Sequence, residues 1–150
     1  MNGACGVNIA MKATRFSPGA LREGPAAASI AFVIGSDVDG ESVVDVLAAT
    51  RALCPALVAG DRHVIGSPVP VPAVDLRLLG VVLERDGEVV ATAAGAADQG
   101  HPAAAVAALG SLKAGDIVVT APLASVGEVR TGAVLVASVG RLGSVEAVVD

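Results

Sequence analysis

Aromatic side chains are almost missing from this sequence: there is no Trp and no Tyr, and Phe occurs only at Phe16 and Phe32. Cations are sparse too, ten Lys and Arg against fifteen Asp and Glu for a net charge of −5, and nowhere do they cluster. Nucleic-acid binding needs basic patches and stacking rings, so that class is excluded. Only two cysteines occur, Cys5 and Cys54. They make neither a disulfide framework nor a metal-ligand spacing, which points to a reduced, cytoplasmic protein. No uncharged apolar run reaches the ~18–20 residues of a membrane-spanning helix. The start, MNGACGVNIAMKATRF, lacks the basic opening and long apolar stretch of a signal peptide. Walker loops, nucleophile elbows, dinucleotide-binding glycine patterns and zinc spacings are likewise absent.

What the chain does have is Val, Ala, Leu and Ile. Apolar residues make up 53% of it, and its 150 residues suit one domain with a real core. Small and β-branched side chains fit pleated sheet and tight helix packing. So much apolar surface in so short a chain predicts burial between subunits, in a homo-oligomer or with a related chain.

Residues 1–24 are poorly patterned and read as an N-terminal arm with at most one short strand; residues 25–150 read as a single domain. SIAFVIG (29–35) predicts a strand, and ESVVDVLAATRAL (41–53) predicts a helix, capped by Asp39 or Ser42 and stopped by Pro55. PALVAGDRHVIG (55–66) reads as a strand broken at Gly60, and SPVPVPAV (67–74) as an extended edge. Two β-rich runs flank Arg85-Asp86-Gly87, a hairpin signal. HPAAAVAALG (101–110) predicts a short helix opening at Pro102. Strands are expected over 116–123, 133–140 and 143–150. The fold class is α+β, mainly β, with two short flanking helices.

Candidate chemistry is thin. Asp61-Arg62-His63 is the densest polar cluster, and a carboxylate two residues from a histidine on one strand shares its face, as a general base requires; a solvated turn after Gly60 is the competing reading. His101 reads as a helix-start residue and Cys54 as core. Asp37, Asp39, Glu41 and Asp45 crowd one loop-to-helix junction but lack the pattern of a calcium loop. Lys113-Ala114-Gly115-Asp116 reads as a turn.

DVLAATRALCPAL (45–57), DLRLLGVVLERDGEVVATAAGAADQGHPAAAVAAL (75–109), LKAGDIVVTAPL (112–123) and GRLGSVEAVV (140–149), taken in order, resemble 2-keto-4-pentenoate hydratases and oxalocrotonate decarboxylases of the fumarylacetoacetate hydrolase superfamily. The resemblance spans residues 25–150 and implies a β-roll or barrel and an oligomer. It also implies a Glu-x-Glu pair and a third Glu that hold a divalent metal, usually magnesium, against the 2-oxo acid end of the substrate. The matching positions here are Ala27, Ser29 and Val58, so the expectation is no metal and no other cofactor. A family catalytic lysine lies in a region this chain does not include, with Lys12 as an echo of it. The active-site loop after Asp61 is abridged, the piece between Leu109 and Leu112 is shortened, and a family Thr-Gly is Thr120-Ala121.

The departures fall on metal binding and proton transfer, while the sheet and helix segments persist. Three functions follow. The first is a metal-independent, repurposed cyclase, isomerase or lyase of an apolar polyene or oxo compound, in specialised metabolism. Its pocket would be lined by Ala27, Ser29, Val58 and Thr120, with Asp61 or His63 handling the proton. The second is a non-catalytic binding or stabilising subunit, and the third a residual 2-oxo acid hydratase.

Overall fold

The protein is described from a computed structural model covering residues 14–39, 42–97 and 100–150. The chain runs β1 (Thr14–Arg15), β2 (Gly24–Ile34), β3 (Val38–Asp39), α1 (Val43–Ala49), β4 (Thr50–Ala59), β5 (Arg62–Ile65), β6 (Val69–Pro70), β7 (Gly80–Arg85), β8 (Glu88–Ala94), α2 (Pro102–Ala107), β9 (Ser111–Leu112), β10 (Ile117–Val119), β11 (Ala124–Val129), β12 (Val134–Val139) and β13 (Gly143–Val148). The described residues are mainly β with two short α-helices, as expected.

The seven-stranded sheet follows the order β1-β10-β2-β4-β5, with β11 also on β2 and β6 also on β4; β13-β12-β7-β8 form a second sheet, and β3 pairs β9. Every residue of β2 from Ala26 to Ile34 is buried, so both faces of this strand are covered. Ile30 and Phe32 enter the main core with Leu53 and Leu57, against Leu83 and Leu135 of the second sheet. Ala31 and Val33 point the other way and pack with Cys54, Ala56 and Val119 beneath Phe16, Ile65 and Ile117. The run of tiny side chains ahead of Ile30 is itself strand, its alanines allowing close approach on both faces.

The helix expected over 41–53 is only seven residues long; its first predicted residue, Glu41, lies outside the described residues, as do Lys12 and Cys5. Ser42 caps it, its Oγ accepting from Asp45 N at 3.1 Å. From Thr50 onward the chain pairs with β2 instead, in a register running from Ile34↔Thr50 to Ala26↔Ala59. Long-range pairing of an apolar segment outweighs its local helical periodicity. Pro55 sits inside β4 rather than ending a helix. Its carbonyl accepts from Gly66 N at 2.9 Å, so its nitrogen faces the same edge, at the gap between β5 and β6. No ladder hydrogen bond is needed there.

The strand expected over 116–123 is β10 alone, and β11, where no strand is expected from sequence, follows it. Gly127 falls at a bulge in β11, where the register with β2 shifts between Val126 and Glu128, which obscures the strand pattern. The Asp86-Gly87 hairpin forms as predicted, with φ of 53° and 86°, both positive as a tight primed turn requires. Of the expected arm, residues 1–13 lie outside the described residues. Beyond them, β1 pairs β10 and Leu21 is fully buried in the main core.

Two glycines separate conformational from steric demand. A methyl group at Gly87 would meet open space, but the residue has a positive φ, so Gly87→Ala is expected to cost about 1 kcal/mol. A β-carbon at Gly95 would overlap the Leu76 carbonyl oxygen. Gly95→Ala is therefore expected to cost about 3 kcal/mol, the two being compared by urea denaturation.

Candidate functional site

Four of the expected site residues converge. Ala27 lies opposite Val58 in the β2–β4 ladder, and Val58 lies opposite His63 in the β4–β5 ladder. Directly opposed residues share a face with β-carbons about 4.5–5.5 Å apart, so Ala27, Val58 and His63 form one row across the sheet. Ser29, two residues from Ala27, points to the same face one row along. The row continues to exposed Ser125 on β11, opposite Ala27. Val58 is half-buried, so the face is least covered at this end.

His63 is 6% exposed and firmly held. Ser17 N donates to its Nδ1 at 2.9 Å, its backbone N–H donates to Ser17 O at 2.8 Å, and Phe16 stacks on the ring with centroids 6.1 Å apart. With Nδ1 accepting, the neutral ring carries its proton on Nε2. Burial lowers its pKa, partly offset by the negative charge of Asp61.

Asp61 is not on the strand. It occupies the turn between β4 and β5 beside Gly60, whose φ is 66°, and its side chain is 85% exposed, 3.5 Å from Arg62 Nε. It influences His63 by charge at a distance. Ser29 and Thr120 serve the ladder. Residues 120–123 span the interruption between β10 and β11 along β2. There Ile30 N donates to Thr120 Oγ1 at 3.2 Å, and Thr120 N donates to Ile30 O at 2.9 Å. Ser29 Oγ lies 3.5 Å from Ala121 O. Both hydroxyls are buried and engaged.

The donor set at the positions implied for a metal does not suit a hard divalent cation. Such ions take six or more oxygen ligands, largely anionic. Ala27 and Val58 offer none, and Ser29 offers one engaged hydroxyl. Among the described residues no three His, Cys, Asp or Glu side chains are grouped to hold a metal ion. In the acidic junction Asp37 acts as a loop tie, accepting from Ala114 N at 2.8 Å, and in the turn at 113–116 Asp116 accepts from Arg15 at 2.7 Å. Cys54 is buried core, its thiol pKa pushed up by burial.

A separate cavity lies elsewhere among the described residues. A cleft of about 800 Å³ opens between α1, α2 and the loop 71–77, lined by Val43, Leu47, Val74, His101 and Ala104 among others. Sequence reading did not foresee it, because its walls come from three distant segments. A local signal existed in Asp75-Leu76-Arg77. Asp75 caps a 3₁₀ turn by accepting from Arg77 N at 3.0 Å and holds the Arg77 guanidinium at 2.6 Å, which brings its own pKa down to about 2.

The histidine shifts set a pH dependence. His63 and His101 are both held below the ordinary value, chiefly by burial. The unfolded chain binds protons near pH 6.5 while the folded chain resists them, so the stability contribution is present above that pH and is lost as pH falls below it. The urea midpoint should drop on acidification from pH 7 toward 5, with a shallower slope in His63→Gln; an unchanged slope would remove His63 from this account.

No protein-family model matches the chain. A 2-keto-4-pentenoate hydratase of Paraburkholderia xenovorans is 33% identical over 150 aligned positions, covering 79% of this chain and 56% of that protein. The chain thus spans little more than half the length of this relative. The structure of 4-oxalocrotonate decarboxylase from Pseudomonas putida G7, solved with calcium and acetate, superposes with a TM-score of 0.77 at 27% identity, over 89% of this chain and 64% of that one. A fumarylacetoacetate isomerase/hydrolase from Oleispira antarctica shares the fold, with a TM-score of 0.73 at 19% identity over 89% of this chain and 74% of that one. The β-roll expected from the resemblance is therefore the fold observed. By sequence the chain is a homologue of 2-keto-4-pentenoate hydratases and 4-oxalocrotonate decarboxylases, and it shares the fold of fumarylacetoacetate isomerase/hydrolase proteins.

Proposed function

We propose that this chain is a hydratase-like enzyme that works without the divalent metal, promoting cyclisation, isomerisation or elimination in an apolar polyene or oxo compound. The observation that carries this reading is the row Ala27–Val58–His63, which sets one buried, oriented imidazole on an otherwise apolar face. A neutral histidine whose Nδ1 is occupied presents Nε2–H as a hydrogen-bond donor. Such a donor polarises a substrate carbonyl without transferring a full proton, as neutral imidazole electrophiles do. The apolar surroundings strengthen that hydrogen bond and hold a flexible substrate in a reactive conformation. Ser17 and Phe16 are positioning residues for the ring, and substrate approaches past Val58 and Ser125. The acting form is a homo-oligomer or a complex with a related chain, consistent with the apolar composition.

A second reading is favoured by one observation. Ala27, Ser29 and Thr120 are 2%, 0% and 3% exposed, and neither principal cavity is lined by them. A face this tightly packed also suits a non-catalytic subunit that binds or stabilises an active homologue.

Turnover of a 2-hydroxy-2,4-dienoate, followed by loss of its ultraviolet absorbance, separates the readings. The metal-free enzyme is expected to give the same rate with magnesium and with chelator, and His63→Asn, whose side-chain oxygen can still accept from Ser17 N while the Nε2 donor is lost, to lower it about a hundredfold, the scale of losing one such donor. Chelator-sensitive turnover would restore the metal-dependent hydratase. No turnover under either condition would remove the residual hydratase and leave the repurposed pocket and the non-catalytic subunit to be separated by binding of an apolar polyene or oxo ligand.

A further inference from the structure

The cleft between α1, α2 and the loop 71–77 is separate from the row at His63: none of its lining residues belongs to that face. Its volume, about 800 Å³, falls within the ~300–1,000 Å³ of small-molecule sites. Most of its wall is apolar, with Val43, Leu47, Val71, Val74 and Leu76 facing it. Three polar side chains, Asp75, Arg77 and His101, complete it.

The hydrogen-bonding state of those three side chains defines the head group they would accept. Asp75 is saturated: Oδ1 accepts from Arg77 N and Nε, both at 3.0 Å, and Oδ2 from Arg77 Nε at 3.1 Å and Nη2 at 2.6 Å. Arg77 thereby uses Nε and Nη2, and Nη1 retains its two hydrogens. His101 Nδ1 accepts from Ala103 N at 3.0 Å, capping α2, so the neutral ring carries its proton on Nε2. The cleft therefore presents donors from Arg77 and His101 and no free acceptor among these three. Its charges also cancel, since the guanidinium is already paired with Asp75. A second carboxylate would enter beside Asp75 and be repelled by it, Arg77 being already paired.

We propose that this cleft is a binding site for a neutral carbonyl compound with an apolar body: a ketone, ester or amide oxygen set against His101 Nε2–H and Arg77 Nη1, and a hydrocarbon portion lying along Val43, Leu47 and Val74. The site is independent of the chemistry proposed at His63 and serves as a second ligand or effector position on the same chain.

Two-dimensional ¹⁵N–¹H NMR titration of the full chain tests this, with 2-octanone as the carbonyl probe and octanoate as its anionic counterpart. For 2-octanone we expect saturable shifts confined to residues such as Leu47, Val74, His101 and Ala104, with a dissociation constant of about millimolar for a ligand of this size. Octanoate is expected to bind at least about tenfold more weakly. In His101→Asn the side-chain oxygen keeps the helix cap while the Nε2 donor is removed, so the fold persists and 2-octanone binding weakens about fivefold, the scale of one hydrogen bond. Three results would overturn the proposal: scattered or non-saturating shifts, octanoate binding as well as the ketone, or undiminished ketone binding in a folded His101→Asn. Probe-independent shifts at these residues that grow with protein concentration would overturn it too, assigning the cleft to a second copy of the chain.

Discussion

Everything in this molecule hangs on the antiparallel ladder between β2 and β4. It runs from Ala26↔Ala59 to Ile34↔Thr50, and both of its faces are covered. On one side it carries Ile30, Phe32, Leu53 and Leu57 into the core shared with the second sheet. On the other it presents Ala27, Ser29, Ala31, Cys54, Ala56 and Val58. A ladder buried on both sides tolerates few polar groups, because each must find a partner inside. The hydroxyls of Ser29 and Thr120 meet that demand by closing the interruption between β10 and β11.

The same constraint explains what the face can do. Carboxylates gathered on a buried sheet face repel one another and lose hydration, and a bound cation is what makes such a cluster tolerable. At the positions where the resemblance implies carboxylates, Ala27, Ser29 and Val58 leave the ladder with no charge that needs a cation. The polarity that remains is concentrated in one imidazole, fixed by Ser17 and Phe16 at the edge of the row. The second polar constellation, at Asp75, Arg77 and His101, stands apart from it in the cleft between α1, α2 and the loop 71–77.

Much of this was legible in the sequence where the signal is local. The Asp86-Gly87 hairpin, the short helix opening at Pro102 and the edge strand among the prolines follow from residues a few positions apart. What misled was competition between levels. The apolar spacing of 45–53 is genuinely helical, yet the segment from Thr50 has β2 to pair with, and tertiary pairing wins. Pro55 looked like a terminator because nothing in sequence shows that its nitrogen faces a gap. The kinship with the hydratases rested on a specific succession of segments, and that level held. At the site, the row Ala27–Val58–His63 emerges only from register, and the hydrogen bond from Ser17 to His63 joins segments far apart in sequence. The expectation that Asp61 shares a strand face with His63 failed because Gly60 turns the chain one residue earlier.

At the positions where the resemblance implies a divalent metal, we propose an apolar ladder that binds none. The most direct test is paramagnetic: manganese(II) added in increments to ¹⁵N-labelled protein, with amide linewidths followed residue by residue. The resonances of Ala27, Ser29 and Val58 are expected to keep their linewidths while exposed carboxylate loops broaden weakly and without saturation. Selective, saturable broadening centred on those three residues would contradict it.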